Sequence, residues 1–243
     1  MPHPSARRLA FAALVTITPP ALADAQLAVG QRDTFQDGST QGWIVNLLGM
    51  GSHPAPPANI ETGGPAGAGD RYLRLTAVGG AGAGSRLVAL NFNGQWAGDY
   101  RAAGVNAISM HARNLGGSDL FLRLLFEDPV AGPPENLALS ANPVVLRAGG
   151  DWQRVVFPLF GPGGLAPLFG SDLDELFGRV TLVRIVSSER FENPPAPVAA
   201  VLGVDNITAS VIPEPSTVAL VAGGALLLAV ARVGGQRRAS ETK

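Results

Sequence analysis

Residues 119–127 read DLFLRLLFE, and this stretch decides the class of fold. An apolar side chain recurs at every second position, at Leu120, Leu122, Leu124 and Phe126. Successive side chains of an extended chain point to opposite faces, so these four residues share one face of a strand. The stretch therefore predicts a β-strand with one face in a hydrophobic core.

The same period of two returns along the chain between clusters of Gly, Pro and Asn. The predicted strands are Arg71–Ala77, Ser85–Phe92, Val105–Arg113, Asp151–Leu159, Arg179–Ser187 and Val201–Ser210. One short helix is predicted at Ser171–Phe177, with Ser171 as its N-cap. Many short strands and one short helix predict an all-β, jelly-roll-like β-sandwich over residues 26–210. The Pro- and Gly-rich stretch 49–69 lacks core periodicity, and no element is predicted there.

The composition favours a folded domain and excludes several kinds of chemistry. Of the 243 residues, 46% are hydrophobic and 15% are charged, which is enough apolar surface for a sizeable core. The chain contains no Cys, which excludes disulfides, thiolate nucleophiles and cysteine-based zinc sites. Residues 27–210 contain 12 Arg and 16 Asp plus Glu, a net charge of −4, so no nucleic-acid partner is expected.

The N-terminal residues have the pattern of a secretory signal peptide. Arg7 and Arg8 precede the apolar run Leu9–Ile17, and small residues at Ala21, Ala23 and Ala25 follow it. A basic start, a short apolar run and a small-residue cleavage site are the three parts of such a signal. We expect residues 1–25 to be removed by signal peptidase after Ala23 or Ala25.

The C-terminal residues have the pattern of a membrane segment. Val218–Ala231 is a run of apolar residues and Gly, and Arg232 follows it. Fourteen helical residues reach about 21 Å, against a hydrocarbon core of about 30 Å, so length alone leaves a membrane span open. Snorkelling of Arg232 extends the reach. We expect a transmembrane helix over residues 218–233 and a basic cytoplasmic tail over residues 234–243.

A short motif stands directly before that apolar run, within a linker at residues 211–217. It consists of Pro213, Glu214 and Pro215. A Pro-Glu-Pro motif, an apolar helix and an Arg-rich end, in a chain with a signal peptide, resemble the PEP-CTERM sorting signal. The resemblance implies that these three residues are recognised by exosortase, a membrane peptidase of Gram-negative bacteria that make extracellular polysaccharide. It implies export to the cell envelope or extracellular matrix, with transient anchoring in the inner membrane. The alternative is a linker before an ordinary anchor helix.

Three further segments carry a second resemblance. They are Asp33–Gly38 followed by Gly42 and Trp43, the strand Asp151–Leu159, and Gly203–Ile207. These segments resemble parts of jelly-roll carbohydrate-binding modules and related galactose-binding-like sandwiches. The resemblance implies a structural Ca²⁺ ion near the first and last strands, held by Asp37, Asp70 and Asp205. Gln36 stands where that family often has an acidic residue. The alternative is that these aspartates form local turns.

Aromatic residues supply the candidates for sugar contact. Trp96 and Tyr100 lie in a polar, Gly-containing stretch, Asn91–Tyr100, so we expect their rings to be exposed and to contact ligand. We expect Trp43 and Trp152 to pack in the core.

Catalytic motifs are lacking in the sequence. There is no Glu-x-Asp-x-x-Glu glycosidase motif and no Gly-x-Ser-x-Gly elbow, and the chain has only three His. We therefore expect no enzyme and no cofactor beyond a structural Ca²⁺ ion. The leading hypothesis is an exported, non-catalytic protein that binds extracellular polysaccharide. The alternatives are a purely structural surface or biofilm protein without a sugar site, and a glycan-active enzyme.

Overall fold

The computed structural model describes residues 26–45, 53–128, 134–170 and 172–213. The predicted signal peptide 1–25, Glu214 and Pro215 of the motif, the predicted helix 218–233 and the tail 234–243 lie outside the described residues. Within the described ranges, no helix is long and apolar enough to cross a membrane.

The described residues form twelve strands and one short helix. The strands are β1 (Arg32–Asp33), β2 (Ala58–Ile60), β3 (Tyr72–Val78), β4 (Val88–Asn91), β5 (Ala107–Asn114), β6 (Leu120–Asp128), β7 (Asn136–Ser140), β8 (Val144–Leu146), β9 (Gln153–Pro158), β10 (Leu165–Phe169), β11 (Leu182–Ser187) and β12 (Ala199–Ser210). The helix, α1, spans Leu173–Gly178.

The strands make two antiparallel sheets. One, called here the terminal sheet, has the order β2-β3-β12-β5-β9, with β1 also paired to β12. The other, the central sheet, has the order β10-β7-β6-β11-β4, with β8 also paired to β6. The predicted all-β sandwich is thereby confirmed.

The hydrophobic core lies between the two sheets. Alternate residues of β6 from Leu120 to Phe126 face it, as the period of two predicts, and each is at most 1% exposed. Ile108 and Met110 of β5 contribute to it from the terminal sheet. Each sheet buries one face against the other. The polar side chains of β3, β5, β9 and β12 therefore lie on the outer face of the terminal sheet.

Four strands were not predicted from the sequence, and the N-cap of the helix was predicted one residue too early. Strands β2, β7, β8 and β10 were not predicted, and β2 lies inside the stretch 49–69, while β1 overlaps the segment Asp33–Gly38 that carries the second resemblance. Three to five residues are too few to show a clear period. The helix was predicted, but its N-cap is Asp172, whose carboxylate accepts from the backbone N–H of Glu175 at 2.8 Å. Ser171 lies outside the described residues.

Candidate functional site

Trp96 and Tyr100 lie in the core, so the expectation that their rings are exposed was wrong. Both side chains are 0% exposed. Tyr100 packs edge-on against Phe126 with ring centroids 5.3 Å apart, and its hydroxyl donates to the backbone oxygen of Trp96 at 2.9 Å. These two rings cannot stack on a sugar, and they are not a binding site.

A buried carboxylate explains why Trp96 turns inward. Oδ2 of Asp33 accepts from Nε1 of Trp96 at 2.7 Å and from Nε1 of Trp43 at 2.8 Å, while Gln95 donates to Oδ1 at 3.2 Å. Burial raises the pKa of Asp33, and the hydrogen bonds from the two indoles and from Gln95 oppose that rise. The polar loop is therefore attached to the core by indole N–H groups, a contact that the local sequence does not reveal. Trp43 packs in the core as predicted.

Trp152 is the tryptophan that reaches the surface, contrary to the expectation that it packs in the core. It precedes β9 and is half-buried on the outer face of the terminal sheet. Its Nε1 donates to the backbone oxygen of Gly63 at 2.9 Å. Its ring meets Tyr72 of β3 edge-on, with centroids 5.3 Å apart and an interplanar angle of 77°. These two contacts fix the indole in one position across the sheet.

Gly203 of β12 makes room for this arrangement. A Cβ atom at Gly203 would lie 2.8 Å from Cη2 of Trp152 and 3.2 Å from Cε2 of Tyr72. Both distances are closer than van der Waals contact allows. The missing side chain at this position lets the indole lie over β12, so Gly203, Tyr72 and Trp152 form one unit, called here the aromatic platform.

Two arginines flank the platform. In the strand register, Gly203 lies opposite Arg74 of β3 on one side and Arg113 of β5 on the other. The Arg74 side chain is exposed, and Nε of Arg113 donates to the backbone oxygen of Gly150 at 3.1 Å. An aromatic ring between guanidinium groups can stack on an apolar ligand face while the arginines donate to hydroxyl or anionic groups.

The three aspartates proposed for Ca²⁺ separate into two groups. The carboxylate of Asp37 accepts from the backbone N–H and the hydroxyl of Ser39, at 2.9 and 3.0 Å, which is a local turn. Asp70 and Asp205 lie close enough for Asp70 to raise the pKa of Asp205. Within the described ranges, no cluster of three or more Asp, Glu, His or Cys side chains is arranged for a metal ion. Asp37 is thus hydrogen-bonded within its own turn, which is the alternative expected for these aspartates.

Oxygen atoms of the type that coordinate a metal ion surround the side-chain amide of Gln36. Nε2 of Gln36 donates to Oδ1 of Asp70 at 2.8 Å, to the Thr34 oxygen at 3.3 Å and to the Arg71 oxygen at 3.4 Å. One nitrogen among three oxygens occupies the kind of position a hard cation takes. A cation at this position would require the Gln36 side chain to move out of it and to coordinate through Oε1. These oxygens are of the type that Ca²⁺ binds, and Asp70 supplies one of them.

Asp205 is an unusual carboxylate. It is 0% exposed, and its oxygens accept from the backbone N–H and the side-chain amide of Asn206, each at 2.7 Å. Burial raises its pKa to about 7, with a smaller contribution from Asp70, and Arg32 opposes the rise. Asn206 itself has a left-handed φ of 53° at a bulge in β12. A buried carboxylate with a shifted pKa is more common at functional sites than in a purely structural core, so Asp205 is a candidate site residue.

Pro213 is the one residue of the predicted sorting motif that the structure describes, and it is exposed. The residue before it is attached to the sandwich. Oδ1 of Asn106 accepts from the N–H of Ile212 at 2.7 Å, and Nδ2 of Asn106 donates to the Ile212 oxygen at 2.9 Å. The first residue of the predicted motif therefore directly follows a residue that is hydrogen-bonded to the sandwich.

Several solved structures are similar in fold to this chain. An exo-β-agarase matches with a TM-score of 0.50 and 11% identity, over 77% of this chain and 25% of the agarase chain. A family 11 carbohydrate-binding module from Clostridium thermocellum, in complex with a β-1,3-1,4-mixed-linked tetrasaccharide, matches with a TM-score of 0.46 and 15% identity, over 77% of this chain and 99% of the module. The tandem family 22 modules of a Paenibacillus barcinonensis protein match with a TM-score of 0.44 and 13% identity, over 80% of this chain and 49% of theirs.

At such low identity, the likeness to the agarase shows the fold alone. No protein-family model and no curated protein matches this chain. The site must therefore be argued from its own residues.

Proposed function

We propose that this chain is an exported, non-catalytic protein of the Gram-negative cell envelope or extracellular matrix that binds extracellular polysaccharide. The proposal depends on the position of Trp152, a half-buried indole that lies over Gly203, whose neighbours in the strand register are Arg74 and Arg113. A rigid aromatic ring in a fixed orientation offers a stacking surface for a pyranose ring with little loss of conformational entropy. The outer face of an open sheet has room for an extended polymer.

The carboxylates favour binding over catalysis. Glycoside hydrolysis needs two carboxyl groups that reach the same glycosidic bond. Asp70 and Asp205 lie near one another, but Asp205 is fully buried and both of its oxygens accept from Asn206. Glu127 is also buried and accepts from Nη2 of Arg184 at 2.5 Å. These groups are placed as structural carboxylates.

Binding is tested by affinity electrophoresis of the full chain through gels that contain one polysaccharide each. The polymers are mixed-linkage β-glucan, agarose, dextran and polygalacturonate, and a polyoxyethylene detergent keeps the chain soluble without adding sugar. We expect retardation by at least one polymer and a loss of at least about tenfold in affinity for Trp152→Ala. Phe169→Ala is the matched control, because Phe169 is 59% exposed on the other sheet. Retardation that is unchanged in Trp152→Ala, or absent for the native chain, would favour a purely structural surface protein.

The export part of the proposal rests on the two ends of the sequence. The signal-peptide pattern, the Pro213-Glu214-Pro215 motif, the apolar run and the basic tail occur in the order of the PEP-CTERM signal. The test is the intact mass and location of the protein in its host, with and without exosortase. A shortened, released form that depends on exosortase is expected. An uncut, membrane-held protein in both strains would mean that the C-terminal segment is an ordinary anchor.

A structural Ca²⁺ ion belongs to the same proposal. Asp70 and Gln36 side-chain oxygens, the Thr34 and Arg71 backbone oxygens and the nearby Asp205 carboxylate would hold it, and the ion would supply positive charge to two close carboxylates. Its role would be to join the first and last strands, which keeps the terminal sheet in one shape.

A further inference from the structure

A second feature of the terminal sheet's outer face is a pocket of about 350 Å³ beside the aromatic platform. Its floor consists of hydroxyl-bearing and imidazole side chains of β5 and β12, and an arginine stands on either side of it. The lining side chains with polar ends are Arg32, Ser109, His111, Arg154, Asn206, Thr208 and Ser210. We call this the arginine pocket.

Strand pairing brings these residues together. Arg32 of β1 lies opposite Thr208 of β12, and Thr208 lies opposite Ser109 of β5. Two residues further along β5, His111 lies opposite Arg154 of β9. The strands run in the order β1, β12, β5, β9, so the backbones of the two arginines lie about 16 Å apart once the two-residue offset is included, and their long side chains line the same pocket.

Arg32 and Arg154 carry the positive charge of the pocket, and the charge of Arg32 opposes the rise in the pKa of the nearby Asp205. Both arginine side chains are exposed, and neither forms an ion pair with a described carboxylate, although Nε of Arg32 donates to the Thr208 hydroxyl at 3.2 Å. Nδ1 of His111 is buried without a hydrogen-bond partner in the described part of the chain. The nearest acidic side chain by register, Asp205, is committed to Asn206. Two guanidinium groups therefore have free donors.

We propose that the arginine pocket binds an anionic substituent, a carboxylate or sulfate group, of an acidic polysaccharide whose neighbouring sugar lies on the aromatic platform. This inference rests on the proposed function and names its ligand class. A guanidinium donates two parallel hydrogen bonds to a carboxylate or sulfate, and hydroxyl groups supply further donors to the same anion. The pocket size suits one sugar unit with its substituent.

The rest of the chain argues against general attraction to polyanions. Residues 27–210 carry a net charge of −4, so a polyanion is repelled by the domain as a whole. Binding of an acidic polymer therefore requires a local cluster of positive charge. The arginine pocket, with Arg74 and Arg113 beside the platform, provides one on a single face.

The test compares polymers that differ only in charge. Polygalacturonate is paired with its fully methyl-esterified form, and dextran sulfate is paired with dextran, so that the two arms distinguish a carboxylate from a sulfate. Affinity electrophoresis is run with the full chain, with Arg32→Gln, Arg154→Gln and Trp152→Ala, and with Arg190→Gln as a control. Arg190 is an exposed arginine outside the pocket, so its substitution removes the same charge elsewhere.

We expect the native chain to bind the charged member of one pair more tightly, and each pocket substitution to weaken that binding about tenfold. Arg190→Gln should change it less than twofold, and Trp152→Ala should weaken both members of the pair. Equal binding of charged and uncharged members, with a loss only in Trp152→Ala, would overturn the arginine pocket and leave the proposed function standing. Binding of no polymer by the native chain would overturn both. Equal loss in Arg190→Gln and Arg154→Gln would show general charge attraction and would also overturn the inference.

Discussion

The indole nitrogen of Trp96 donates a hydrogen bond of 2.7 Å to Oδ2 of Asp33, a residue 63 positions earlier in the chain. The same oxygen accepts from Trp43, whose ring lies 6.2 Å from that of Trp96. This contact attaches the loop before β5 to the first strand of the terminal sheet. It makes Trp96 a residue of the core and leaves Trp152 as the aromatic residue of the site.

Replacing Trp96 should therefore affect stability. We expect Trp96→Ala to lower the free energy of unfolding by about 3 to 5 kcal/mol, because it leaves a cavity and removes an indole donor from a buried carboxylate. Urea denaturation followed by circular dichroism measures the change. Phe169→Ala, at an exposed ring, should cost less than about 1 kcal/mol. A Trp96→Ala protein as stable as the native one would contradict the buried position.

Adding one methyl group at Gly203 should disturb the aromatic platform. A Cβ atom there meets Trp152 at 2.8 Å, so in Gly203→Ala the indole must move away from Tyr72. We expect a changed near-ultraviolet circular dichroism spectrum and a loss of polysaccharide retardation similar to that of Trp152→Ala. Gly117→Ala is the matched control, because no atom lies within 4 Å of the Cβ position there. Normal retardation of Gly203→Ala would show that the indole's position does not matter for binding.

Stability should fall as the pH rises towards neutral when calcium is chelated. The pKa of Asp205 is raised from 3.8 to about 7 by burial, so the folded state holds a proton that the unfolded chain releases. The resulting stabilisation is complete below about pH 4 and is lost as the pH rises through 7, with a magnitude of at most about 4 kcal/mol. Burial also raises the pKa values of Asp33 and Glu127, which act in the same direction.

Urea denaturation at several pH values in EDTA measures this effect. In Asp205→Asn, the difference in unfolding free energy between pH 4.5 and pH 8 should become smaller. Asp151→Asn, at an exposed carboxylate, should leave it as in the native chain. A difference of the same size in Asp205→Asn would show that another group is responsible.

Calcium should stabilise the protein through Asp70 and Asp205 and not through Asp37. We expect millimolar Ca²⁺ at pH 7.5 to raise the melting temperature by several degrees, because an ion that binds only the folded state stabilises it by mass action. Asp70→Asn and Asp205→Asn should abolish the response, and Asp37→Asn should retain it, since that carboxylate accepts from Ser39. No response of the native chain, or a response lost equally in Asp37→Asn, would overturn this assignment. Differential scanning fluorimetry measures the melting temperatures, with Mg²⁺ as the control ion.

The class of fold followed from the sequence because the signal for it is local. The alternation from Leu120 to Phe126 reports which face of one strand is buried, and a chain with many such stretches forms a sandwich whatever the order of its strands. The shorter strands β7, β8 and β10 were missed, since a few residues show no clear period. The predictions for Trp96 and Trp152 failed because the signal for their burial is not local. Whether each ring is buried depends on groups far away in the chain.

The sequence by itself therefore determined the secondary structure class, the likeness of its two ends to export and sorting signals, and the absence of cysteine chemistry. Tertiary structure decided which tryptophan reaches the surface, which aspartates lie together and where arginines gather. The Asp33 carboxylate accepts a hydrogen bond from the buried Trp96 indole. The lack of a side chain at Gly203 leaves room for the Trp152 indole. Pairing of β1, β12, β5 and β9 brings Arg32 and Arg154 to one pocket. Each of these relations joins residues that only strand pairing brings together, and no local pattern encodes them.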